Sequence, residues 1–120
     1  MAMPRFRLHR AWLLVASLAA APLAAQDLGR QSSECFVIYR LAAGVSGNAA
    51  HRGDFERLGQ LMGRTMDDEG VTKAQFDRWM GGLMSRIGTP QKPDHAAISS
   101  KIDACNRLAQ QRHRYYTGSR

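Results

Sequence analysis

The first 25 residues constrain the fold most, because they separate what folds from what delivers it. Arg5, Arg7, His9 and Arg10 make a basic start, and Trp12 to Ala21 is an uninterrupted apolar and small-residue run. Pro22 breaks the run, and Leu23-Ala24-Ala25 supplies the small residues a signal peptidase needs. Basic start, short apolar run and small-residue end are the layout of a secretory signal peptide. The run is about half of the ~20 residues a helix needs to cross a bilayer, which argues against an anchor. Cleavage is expected after Ala25. No cysteine follows that point directly, which argues against a lipoprotein. The start has no paired arginines, which argues for export unfolded and for a domain that carries no preloaded cofactor.

What is left is one domain, residues 26–120, with loose ends expected at 26–31 and 117–120. Its expected place is the periplasm, with the extracellular medium as the alternative. The formal charge of the whole chain is +7, of which Arg5, Arg7 and Arg10 carry three with no acid beside them, so it falls to +4 for 26–120. That balance, with export, argues against a nucleic-acid partner and leaves anionic wall or lipid surfaces open.

The chain has two cysteines, Cys35 and Cys105, near opposite ends of the exported part. In an oxidising compartment they are expected to pair. There is no Cys-x-x-Cys and no ligand cluster at fixed spacing to support a metal or a catalytic thiol.

Four amphipathic segments follow. Ser32-Ser33 offers a helix cap, and Cys35, Ile38, Tyr39 and Ala42 recur at helical spacing until Gly44 and Gly47-Asn48. Phe55, Leu58, Leu61, Met62 and Met66 make a second stripe, interrupted by Gly59 and Gly63. Two helical glycines cost about 1 kcal/mol each in propensity. Their spacing predicts close approach of a neighbouring helix. Thr72-Lys73-Ala74-Gln75 fits a capping box, followed by Phe76, Trp79, Met80, Leu83, Met84 and Ile87 and stopped by Gly88-Thr89-Pro90. Asp94 can cap a fourth helix, whose stripe is Ile98, Ile102, Cys105, Leu108 and Ala109. A break is expected at Arg112 before Tyr115 and Tyr116. The fold class is therefore a small all-α, four-helix domain, stapled by Cys35–Cys105 between its first and last helices.

Sites are harder to find. Asp67-Asp68-Glu69-Gly70 resembles a calcium loop, but the register that puts Gly70 at position 6 leaves Phe76 where a bidentate glutamate belongs. His51, His95 and His113 have no metal-ligand spacing, and Asp94-His95 reads as a helix cap. Nothing enriches for a nucleophile with its base. No catalytic, cofactor or metal site is expected, and no enzyme. The strongest surface feature is Arg107, Arg112, His113, Arg114, Tyr115 and Tyr116, cations interleaved with aromatics. The expectation is a non-enzymatic exported protein that binds another envelope protein, as an inhibitor, immunity protein, accessory subunit or chaperone. The alternative is a binder of anionic wall or membrane components through that Arg/Tyr patch. Oligomeric state is not legible.

Overall fold

The computed structural model describes residues 27–118, so the expected export signal, 1–25, lies outside the described residues, as do Gln26, Ser119 and Arg120. The described chain is a small all-α domain: α1 over 27–44, a 3-10 turn at Ser46–His51, α2 at Arg52–Asp68, α3 at Lys73–Ile87 and α4 at His95–Thr117. Cys35 and Cys105 are joined by a disulfide whose Cα atoms lie 5.4 Å apart, and it ties α1 to α4.

The apolar stripes converge on one core. Ile38 and Tyr39 of α1, Met62 of α2, Leu83 and Ile87 of α3, and Ile98, Cys105 and Ala109 of α4 are all buried in it. Trp79 and Phe76 pack against its edge, so α3 turns its large side chains inward. Burial of such side chains contributes roughly 1.5–3 kcal/mol each before conformational entropy is set against it. The buried Tyr39 hydroxyl donates to Asn106 Oδ1 at 2.7 Å, which satisfies a polar group the core would otherwise penalise. Desolvation pushes its phenol from the ordinary 10.0 up to about 12. Arg86 of α3 reaches both carboxylate oxygens of Glu34 on α1, at 3.2 and 3.0 Å.

The caps follow the sequence where side chains can reach backbone. Thr72 Oγ1 accepts from the Gln75 N–H and the Gln75 side chain accepts from the Thr72 N–H, a complete capping box. Asp94 accepts from the Ala97 N–H at 3.0 Å. Between α2 and α3, Val71 N–H bonds to Met66 O and Gly70 N–H to Asp67 O, with Gly70 at φ 66°. That is a Schellman end, so the acidic segment closes a helix. Gly88 has φ 82°, and a Cβ there would meet Lys92 O at 2.4 Å, so the 88–94 turn requires glycine.

Two boundaries differ from the sequence expectation. Residues 27–31, expected to be loose, are already helical, and Ser32 and Ser33 are buried within α1 and cap nothing. Leu28 packs on the core, and Gly29 lies so close to the α2–α3 turn that a Cβ would come 3.0 Å from Val71 Cγ2. Tertiary packing thus extends the helix past its apparent cap. Ser33 Oγ donates to Gly29 O, while Ser32 Oγ is buried without a partner. At the other end, α4 runs through Arg112 without a break to Thr117, and Gly118 closes it with φ 70°.

Candidate functional site

Unbroken helix through 112–117 decides the geometry of the Arg/Tyr patch. Arg112, Tyr115 and Tyr116 stand at i, i+3 and i+4, the spacing that puts side chains on one face. The Arg112 guanidinium carbon is 4.1 Å from the Tyr115 ring centre and 5.2 Å from that of Tyr116. The two rings meet edge to face at 5.3 Å. Arg64 of α2 also stacks on Tyr116, at 3.7 Å. Tyr116 is thus in contact with two guanidinium groups, and its hydroxyl donates to the Asp68 carboxylate at the end of α2 and lies 3.4 Å from Thr65 Oγ1. Each cation–π contact of this kind is worth about 0.5–1 kcal/mol at an exposed site. Together they fasten the last turns of α4 to α2.

Tyr115 has the opposite surroundings. It is 66% exposed, the one large hydrophobic side chain left exposed among the described residues. Arg112 stacks on it but keeps Nε buried without a hydrogen-bond partner. The six residues of the expected contact surface therefore do not form one surface. Arg112, Tyr115 and Tyr116 share one face. Arg107 and Arg114, seven apart, share another and are exposed. His113 and Arg114 line a groove between α4 and α2 of about 560 Å³, together with Leu58, Leu61, Asn106, Ala109 and Gln110. Two members of this region were not legible in the sequence, Arg64 and Asp68. They lie some 50 residues before the tyrosines, and no local spacing announces a contact between helices.

Two further grooves lie elsewhere. One, of about 480 Å³, runs between α1 and α2 beside Phe36, Arg40 and Gly59. The other, about 270 Å³, lies over the disulfide beside Glu34 and Lys101. The glycines of α2 do face α1, as their spacing predicts: a Cβ at Gly59 would lie 3.7 Å from Tyr39 Cβ and one at Gly63 3.5 Å from the Phe36 ring. Those are ordinary contact distances, so the helices approach closely but leave room for a methyl group.

Chemistry-bearing groups are dispersed. Among the described residues, no three His, Cys, Asp or Glu side chains converge to hold a metal ion. Ser33, Thr65, Ser85 and Ser100 each donate to a backbone carbonyl three or four residues back in their own helix. His51 Nδ1 lies 3.8 Å from Asp54, both well exposed. Among the described residues, no helix is long and apolar enough to cross a membrane. No protein-family model, curated protein or solved structure matches this chain.

Proposed function

We propose that this is an exported, non-enzymatic protein that acts by binding another protein of the cell envelope, through the end of α4. The observation that carries the reading is Tyr115, the one large hydrophobic side chain exposed among the described residues, at 66%, and braced by Arg112. Tyrosine and arginine are among the residue types that most often anchor protein interfaces, and tyrosine offers a large contact area at low entropic cost. The brace matters: a side chain already stacked loses less freedom on binding than one that is free. The disulfide is compatible with export to an oxidising compartment. The dispersed hydroxyls and histidines favour a binding role over an acid–base or nucleophilic one.

The test is capture. The full chain, tagged, exported and oxidised, is crosslinked in its own envelope and recovered beside its Tyr115→Ala variant. One stoichiometric partner that depends on Tyr115 supports the reading. A partner set indifferent to Tyr115, or none, refutes it. Salt-sensitive sedimentation with peptidoglycan or anionic vesicles, in place of a protein, would move the function to wall or lipid binding.

A further inference from the structure

We infer that the α2–α4 groove takes an acidic segment of the partner, in which an apolar side chain is flanked by carboxylates. The inference rests on the protein-binding reading and adds to it a second contact and the chemistry of what fills it. The floor is apolar: Leu58 and Leu61 of α2 and Ala109 of α4. The wall belongs to α4 and is made of Asn106, Gln110, His113 and Arg114. Asn106 Oδ1 already accepts the Tyr39 hydroxyl, so what this side chain offers to the groove is its amide N–H groups. Arg114 has only donors to offer, and His113 adds a ring N–H.

Among the described residues, no carboxylate lines the groove. Of the acids of α2 near its floor, Asp54, one turn before Leu58, is engaged by Arg57, and Asp68, two turns after Leu61, by the Tyr116 hydroxyl. A groove with an apolar floor and a wall of amide, imidazole and guanidinium donors complements an apolar residue with acceptors on either side. Its volume, about 560 Å³, suits one or two large side chains and the backbone between them. The donors are spread over residues 106–114 and not gathered at one end, which separates a peptide from a lipid. An acyl chain lying on Leu58 and Leu61 would leave the amides of Asn106 and Gln110 facing hydrocarbon, whereas peptide carbonyls and carboxylates meet them.

The test is selection of random displayed peptides on the exported, oxidised full chain, followed by anisotropy with the selected peptides. The expected winners carry Asp or Glu on both sides of a leucine or aromatic residue. Backbone amide shifts should change at Leu58, Leu61, Asn106 and Ala109. Arg114→Glu and Gln110→Glu, both at exposed positions that leave the core intact, should each weaken binding about tenfold, the scale of a lost charge-assisted contact. Winners without acidic bias, no winners, or affinities unchanged by both substitutions overturn the inference. So does displacement of the winners by phosphatidylglycerol vesicles. An envelope partner captured through Tyr115 but indifferent to Arg114→Glu would sink the groove alone, whereas absence of any partner sinks the protein-binding reading.

Discussion

The two ends of α4 are attached to the rest of the domain by different physics. Around Cys105 the helix is fixed by a covalent bond to α1 and by fully enclosed neighbours, Ile38, Tyr39 and Ala109. Around Tyr116 it is fixed by two stacked guanidinium groups and a hydroxyl–carboxylate bond at the surface. The first attachment excludes water and does not yield. The second is polar, screened by solvent and assembled from long side chains that can rearrange. On the proposed reading, an exported domain that presents a binding surface uses both kinds of attachment. The adaptable one lies where Tyr115 is exposed.

Removing the covalent bond should show the largest effect. A Cys35→Ala, Cys105→Ala double variant frees a loop spanning 70 residues and should lose about 4 kcal/mol in denaturant unfolding. A loss below about 1 kcal/mol would mean that packing alone holds α1 on α4.

Tyr39 sharpens the contrast through pH. Below pH 10 its phenol is neutral in folded and unfolded chains, and its contribution is present in full. Between pH 10 and about 12 the unfolded chain sheds the proton first, because burial holds the folded phenol up to about 12. Stability should therefore fall across that window, at up to about 1.4 kcal/mol per pH unit. Tyr39→Phe should cost about 1 kcal/mol at neutral pH, since Asn106 is exposed and finds water, and should flatten the alkaline fall. An equally steep fall in the variant would assign the effect to other groups.

Gly63→Ala changes the sign. A methyl group there meets only the Phe36 ring at ordinary contact distance, so helix propensity should raise stability by up to about 1 kcal/mol. A lower melting temperature would mean that the α1–α2 contact is tighter than its distances indicate.

The smallest global effect belongs to the polar attachment. Arg64→Ala should cost about 0.5 kcal/mol, yet amide exchange over 112–117 should quicken while exchange around Cys105 stays the same. Uniform quickening would mean that the two ends of α4 open together.

What the sequence made legible follows the same division. The four-helix class, the Cys35–Cys105 staple, the capping box at Thr72 and the inward stripe of α3 come from short-range periodicity and from counting cysteines. Both misplaced boundaries are tertiary effects. Residues 27–31 are helical because Leu28 and Gly29 fit against the core and the α2–α3 turn, which outweighs a serine pair that looks like a cap. Residues 112–117 stay helical because Arg64 and Asp68 hold Tyr116 from another helix. The cation–aromatic composition of the candidate surface was visible in the sequence. Its division into a fastened Tyr116, an exposed Tyr115 and a groove-lining His113 and Arg114 depends on which face meets α2, and no local pattern encodes that.

The most direct test of the account is a photocrosslinking amino acid placed at residue 115 in living cells, compared with the same group at Arg78 on the exposed face of α3. The account predicts one discrete crosslinked protein from position 115 and none from position 78. Equal labelling from both positions, or none from 115, would contradict the assignment of the end of α4 as the binding surface.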